Sequence, residues 1–530
     1  MNRAGRFVPH AVVFITSAGV MIVELVASRM TSKYLGSSLF TWTSVIGIVL
    51  GGASLGNWLG GRMADRWDPR KLLPILLLVS SFLTILIIAL DIAVGRLTWT
   101  LGMDGMTARL LAITVALVAI LFLLPSCALG TISPVVVKRG LAQSTGVGRT
   151  VGGIYAAGSL GGIGGTFLAG FLLIPLFGLT MNILLVGILL ALLSLFMGGR
   201  RIVSGAWAAA LAVLALTGAP GAAARSFAEA PAKGNSIVFE KDSPYSYIRV
   251  TDSAKPGGTE RTLRLDALIH NKVDPRRPDA LLYEYERMFE SLTRAQAGNE
   301  GAGDTGYAAG FSTLTLGGGG FTFPEYLERH YPEGRHTVVE IDPEVVATAH
   351  AYFDLPVRSE LRIVIGDART YVDAVQARDL AAPRARFDII YCDAFNAFSV
   401  PSHLTTREFT ASVAALLMPG GLYLVNCIDI LDSGRFLNAF LNTVKSVFPR
   451  VSVYVSPLSD RSQRATFVIA AGGRRPLPDV LLSPEGEAVG IRFSPADLAE
   501  LRRRNGSGVL TDDHAPVDTL MAPVFLRAVR

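Results

Sequence analysis

The stretch FSTLTLGGGG, residues 311–320, reads as a buried strand that runs directly into four glycines. Glycines at a strand end let the backbone turn tightly and come close to a ligand. Working outward, RHTVVEIDPEVVATAHAYF (335–353), LRIVIGDARTYVDAV (361–375), FDIIYCDAF (387–395) and GGLYLVNC (420–427) repeat a strand–turn–helix pattern. Strands that alternate with helices predict an α/β domain with a doubly wound parallel sheet. Upstream, SIVFEKDSPYSYIRVTD (236–252) and TLRLDALIH (262–270) alternate like strands around a turn at Pro256 to Gly258, which predicts a small β-hairpin subdomain. LLYEYERMFESLTRA (281–295) has helical spacing.

Three strand ends carry candidate binding residues. Gly317, Gly318, Gly319 and Gly320 follow the first strand, and about 20 residues on the next strand ends in Glu340. A carboxylate there can accept bonds from ribose hydroxyls. A third strand ends in Gly366-Asp367-Ala368, at the same edge of the sheet. Together they predict a nucleoside site. No GKS/T follows these glycines and the strand ends of the sheet carry no GxGxxG, so a phosphate-binding loop is not expected.

The first half of the chain is of another kind. Half of all 530 residues are apolar and only 17% are charged, with a mean hydropathy of +0.43; a soluble chain carries about 25% charge. Spans of roughly 20 apolar residues run over 9–30, 39–60, 72–93, 109–130, 151–176, 179–198 and 202–219. Up to Arg201 there are 15 Lys/Arg against 5 Asp/Glu, so the basic balance belongs to short loops and implies no nucleic-acid partner. Eleven loop cations, from Arg3 to Arg201, fall on one side of the spans, and only Arg29, Lys33, Arg96 and Arg109 on the other. That asymmetry puts the N-terminus in the cytoplasm. If 202–219 spans, the rest of the chain is periplasmic; if it does not, the rest is cytoplasmic.

Gly52, Gly56 and Gly60, and the cluster Gly158, Gly161, Gly162 and Gly165, lie on helix faces where backbones can approach closely. Glu24 inside the first span is a candidate functional or structural group. The loop GRMADRWDPRK (61–71) slightly resembles the basic loop between helices two and three of major-facilitator transporters. The three cysteines, Cys127, Cys392 and Cys427, have neither disulfide-framework nor zinc spacing.

The order LTLGGGG, VVEIDPEVV, VIGDA, FDIIYCDAF and MPGGLYLVN, with the hairpin before it, resembles the spermidine synthase (polyamine aminopropyltransferase) family over about 236–470. With its apolar first half, the chain looks like membrane-fused spermidine synthase-like proteins. The resemblance implies a membrane domain at 1–222 with about seven helices, a β-strand subdomain at 235–278, and a Rossmann-like, methyltransferase-type domain at 279–530. It implies aminopropyl transfer from decarboxylated S-adenosylmethionine to a di- or polyamine, with no metal. Glu340 falls on the family's ribose-binding glutamate, and Asp367 with Ala368 on its adenine-side pair. Gly317 to Gly320 and Asp342 complete the nucleoside set. Asp393 falls on the proton acceptor for the attacking amine, although a strand-end aspartate can also be a helix N-cap. Tyr285, Glu286 and Asn396 fall on the amine side. The family's hairpins often mediate dimers, so the resemblance is compatible with a homodimer, while the sequence itself is silent on oligomeric state.

Four positions depart from the family. Gly320 stands where an Asp follows three glycines, Asn396 where a second Asp closes the catalytic loop, Ser246 in place of a Gln, and Glu286 where a His follows Tyr. The nucleoside half is kept and the amine half is altered. Two alternatives therefore stay open: methyl transfer from S-adenosylmethionine, and a transport or sensing protein that binds a nucleoside or polyamine without turnover. LTDDHAPVDTL (510–520) reads as a helix cap or a loop tucked over the site rather than a metal site.

Overall fold

A computed structural model describes residues 3–35, 39–100, 115–142, 146–198, 201–216, 235–255, 258–266, 268–297, 311–379, 387–394 and 400–526. Contacts divide the chain into two compact units. The first holds α1 (Arg3–Leu35), α2 (Leu39–Arg66), α3 (Pro69–Thr100), α4 (Val115–Leu141), α5 (Val147–Leu168), α6 (Ile174–Phe196) and α7 (Arg201–Leu216).

Among the described residues, six helices are long and apolar enough to cross a membrane. The seventh expected span is a shorter apolar helix. Its 16 described residues, at about 1.5 Å each, cover about 24 Å of a hydrocarbon core of about 30 Å. Residues 217–219 of that expected span lie outside the described residues. Near the start of α6, Gly178 takes φ +69° and kinks the helix. Asn182 Nδ2 donates to the carbonyls of Leu173 and Gly178 across the kink, at 2.9 and 2.5 Å.

Small residues set the helix spacing in this unit. A Cβ at Gly56 would lie 2.0 Å from the Cys127 carbonyl oxygen, and one at Gly60 2.4 Å from that of Thr131, so α2 rides directly on the α4 backbone. Gly161 and Gly165 of α5 meet the backbone of Phe14 and Ala18 in α1 in the same way, at 2.1 and 2.5 Å. These contacts match close helix packing, the role expected of such glycine rows. Gly56→Ala is therefore expected to destabilise by about 1–3 kcal/mol through overpacking against backbone. Gly51→Ala, with nothing within 4 Å of its Cβ, should be neutral or gain up to about 1 kcal/mol of helix propensity. Thermal unfolding of both variants in detergent measures the difference, and equal midpoints would refute the packing role.

The second unit contains two sheets. A four-stranded sheet runs in the order β1 (Asn235–Asp242), β2 (Tyr247–Lys255), β3 (Gly258–Leu265), β4 (Leu268–Val273). Its buried face, Ile248, Val250, Leu263 and Val273, packs on Val345 and Phe353. Then follow α8 (Glu284–Ala297), β5 (Ser312–Leu316), α9 (Thr322–His330), β6 (Arg335–Glu340), α10 (Pro343–Tyr352), β7 (Arg362–Ile365), α11 (Ala368–Asp379), β8 (Phe387–Cys392), α12 (Arg407–Leu416) and β9 (Leu417–Ile430). The chain ends with α13 (Arg435–Lys445), β10 (Val451–Val455), β11 (Arg464–Gly472), β12 (Val480–Leu482), β13 (Ala488–Arg492), α14 (Pro495–Asn505) and α15 (Val517–Leu526).

The large sheet has the order β12-β13-β10-β11-β9-β8-β5-β6-β7. Strands β5 to β9 pair in parallel, and β10 to β13 add an antiparallel edge. All five residues of β5 are buried, as a strand covered on both faces requires. The chain winds outward from β5 through β6 to β7, then returns to β8 on the other side of β5. The order reverses there, and the crevice beyond the carboxyl ends of β5 and β8 is where an open α/β sheet binds ligands.

Candidate functional site

Parallel register brings the predicted residues to one line. Leu316 of β5 pairs with Val339 of β6 and with Cys392 of β8, and Cys392 pairs with Val425 of β9. One residue further on, Gly317, Glu340, Asp393 and Asn426 therefore stand side by side. Gly317 donates its N–H to the Val339 carbonyl at 2.9 Å, and Asp393 donates to that of Leu316 at 2.8 Å. Gly317 sits at φ +97°, and a Cβ there would lie 2.4 Å from the Asp393 carbonyl oxygen. Only glycine fits both the left-handed backbone and that approach.

Glu340 is 7% exposed and lies behind the glycine loop. Its Oε2 accepts the N–H groups of Gly318 and Gly319 at 2.8 and 3.4 Å, and its Oε1 accepts that of Asp342 at 2.9 Å. Burial pushes its carboxyl above the ordinary range, against those backbone bonds. Asp342 turns to its own helix, where Oδ1 accepts the Glu344 N–H at 3.0 Å and caps α10. Asp367 does likewise for α11, accepting the Thr370 N–H at 2.8 Å, and its other oxygen meets His403 Nε2 at 3.1 Å. Ala368 is buried at the start of that helix.

Asp393 is held by two side chains. Tyr285 on α8 donates its hydroxyl to Oδ2 at 2.6 Å, and Asn426 Nδ2 donates to Oδ1 at 2.7 Å. Both oxygens thus accept from side chains of the cleft. Burial pushes the Asp393 carboxyl up to about 7, with the two donors pulling the other way. Next to Tyr285, Glu286 is 1% exposed. Its Oε1 accepts from Asn271 Nδ2 at 3.3 Å, while its Oε2 is buried without a hydrogen-bond partner among the described residues. Burial first, then the charge of Asp393, pushes its carboxyl up to about 8. A cleft of about 310 Å³ opens over Asp393, bounded by His270, Tyr285, Asn426, Gln463 and Arg464 among others. A second, water-sized cavity of about 10 Å³ lies between Gly317 to Gly319, His270, Asn271, Glu286 and Asp393.

The structure thus brings Gly317 to Gly320, Tyr285, Glu286, Glu340 and Asp393 together. Asp342 and Asp367 stand at strand ends on the same edge, engaged as helix caps. Asn396 lies outside the described residues. Three site residues carry no assignment from the sequence: Asn426, His270 and Asn271. The first had a signal, because it is the one polar side chain in the apolar run Leu422 to Cys427. The 510–520 segment fastens the helix after Asp367. Arg369 donates to both Asp512 oxygens at 3.0 and 2.8 Å, and Thr406 Oγ1 donates to Oδ1 at 2.6 Å.

The spermine/spermidine synthase domain profile matches residues 312–474. The polyamine aminopropyltransferase of Vibrio vulnificus is 36% identical over 135 residues, 26% of this chain and 42% of that protein. The N-terminal histidine N-methyltransferase of Emericella nidulans is 27% identical over 307 residues, 53% of this chain and 52% of that protein. The chain thus spans about half the length of these two curated relatives. The polyamine aminopropyltransferase of Pyrobaculum calidifontis is 30% identical over 236 residues, 42% of this chain and 71% of that protein. An archaeal relative covered over most of its length, and a family profile lying across the sheet that carries the cleft, give the same answer: the chain belongs to the spermine/spermidine synthase family.

Proposed function

We propose that the second unit transfers an aminopropyl group from decarboxylated S-adenosylmethionine to a di- or polyamine, on a protein anchored in a membrane by its apolar helices. The observation that carries the reading is Asp393, a carboxylate with a pKa of about 7 held between Tyr285 and Asn426 beside the glycine loop. In the reaction the amine nitrogen attacks the propyl carbon next to the sulfonium. The new C–N bond forms as the C–S bond breaks, the electron pair returns to sulfur, and methylthioadenosine leaves. The proton lost by nitrogen passes to Asp393. A base tuned near the working pH suits that task.

In this reading Gly317, Gly318, Gly319 and Gly320 approach the nucleoside, Glu340 takes the ribose, and Asp342, Asp367 and Ala368 shape the adenine side. Tyr285, Glu286 and Asn396 serve the amine side, and the 310 Å³ cleft receives the acceptor. The proposal divides the chain into a membrane domain at 1–222, a strand subdomain at 235–278 and a catalytic domain at 279–530, and includes a homodimer. The membrane is a bacterial-type inner membrane; the catalytic domain is cytoplasmic if 202–219 does not span and periplasmic if it does.

Methyl transfer is the second reading, favoured by the match to the fungal methyltransferase over half of this chain. Product analysis separates the two. Full-length protein in detergent, given decarboxylated S-adenosylmethionine and a polyamine panel, should release methylthioadenosine. Release of S-adenosylhomocysteine from S-adenosylmethionine instead would establish the second reading, and neither product would leave a binding protein.

A further inference from the structure

The glycine loop carries no acid of its own, yet an acid reaches it from elsewhere. A side chain at Gly320 would put its Cβ 2.6 Å from Asn271 Cγ, so Asn271 of β4 fills the space beside the loop. Thr322 Oγ1 donates to Asn271 Oδ1 at 2.9 Å, which fixes the amide and turns its NH₂ toward Glu286 Oε1. Glu286 is thereby oriented with its second oxygen, Oε2, left without a partner among the described residues. Among the described residues, His270 Nε2 is likewise buried and unpartnered. Both side chains line the cavity of about 10 Å³ that also touches Gly317 to Gly319 and Asp393. A volume of that size holds roughly one water or one ammonium group. Unsatisfied buried polar atoms are costly and point to a missing partner.

We propose that Glu286, which the family resemblance sets on the acceptor-amine side, instead forms with His270 the seat of the donor's terminal ammonium, with the carboxylate supplied from helix α8 rather than from the glycine loop. The inference rests on the aminopropyl-transfer reading and names how the site selects its donor. Burial keeps the His270 ring neutral, its pKa lowered to about 4, so Nε2 can accept a hydrogen bond from an ammonium in the matching tautomer. Burial and the charge of Asp393 raise the Glu286 pKa, and an adjacent cation favours its ionised form. A donor that kept its carboxylate would set a negative charge against Glu286 and Asp393, which disfavours S-adenosylmethionine.

The test uses two uncharged-sulfur probes, 5′-deoxy-5′-(3-aminopropylthio)adenosine and methylthioadenosine. They share the nucleoside and the thioether, and only the first carries the ammonium. Calorimetry on the full-length protein in detergent should find the aminopropyl compound bound more tightly, by about 10- to 150-fold for one charge-assisted contact. In Glu286→Gln the ratio should collapse toward one while methylthioadenosine affinity is kept, which also reports a folded pocket. An unchanged ratio in Glu286→Gln overturns the assignment. Loss of methylthioadenosine binding in the variant overturns it too, because Glu286 then supports the whole pocket. If the wild-type protein binds neither probe, the nucleoside reading itself fails, a result distinct from both.

Discussion

Asp393→Asn should lower kcat by roughly 10²–10⁴-fold, the usual contribution of a positioned general base, while methylthioadenosine binding survives. The substitution keeps the shape of the side chain and removes its basicity. Tyr285 and Asn426 both donate to Asp393, so an amide at this position satisfies one of them and turns its own NH₂ toward the other. The cost falls on local order rather than on the nucleoside pocket.

The pH profile gives the same residue a second signature. An acid with a pKa of about 7 is protonated below that value and basic above it, so kcat/KM should rise with pH through a midpoint near 7. Tyr285→Phe removes a donor that favours the ionised form, which moves the midpoint upward. Stopped or continuous release of methylthioadenosine across pH 5.5 to about 9 measures both effects. Equal activity of Asp393→Asn and wild type, or a midpoint that Tyr285→Phe leaves in place, would remove Asp393 from proton transfer.

The strand ends were legible because the strands of a parallel sheet write themselves as short apolar runs, and each run leads to a candidate residue. Gly317, Glu340, Asp367 and Asp393 all follow such runs. Register was not legible. That Asn426 stands beside Asp393 follows from the Cys392–Val425 pairing, which no spacing along the chain encodes. His270 and Asn271 were hidden for a related reason. They belong to a hairpin sheet whose docking on α10 depends on Val345 and Phe353, about 80 residues later in the sequence.

In the apolar half, the glycine rows were readable as packing faces, but which helix each row meets required the folded unit. The seventh span shows the limit of hydropathy. Its composition suits both a span and a helix lying on the membrane surface, which apolar content alone does not separate.

Glu340→Ala should weaken methylthioadenosine binding by about 10- to 150-fold, the range for a buried hydrogen bond to a charged group. The structure gives the residue two tasks. Its carboxylate holds the N–H groups of Gly318, Gly319 and Asp342, and its remaining acceptor site is proposed to meet a ribose hydroxyl. A carboxylate can accept about four hydrogen bonds, so three from the backbone leave room for a ligand. The two tasks separate by changing the ligand instead of the protein. Against 2′,3′-dideoxy-methylthioadenosine, which lacks the hydroxyls, wild type and Glu340→Ala should differ only by what the loop contributes. A large variant effect on methylthioadenosine with a small one on the dideoxy compound assigns Glu340 to the ribose. Equal losses on both ligands would make it a scaffold for the glycine loop, and the nucleoside would then be recognised elsewhere along the sheet edge.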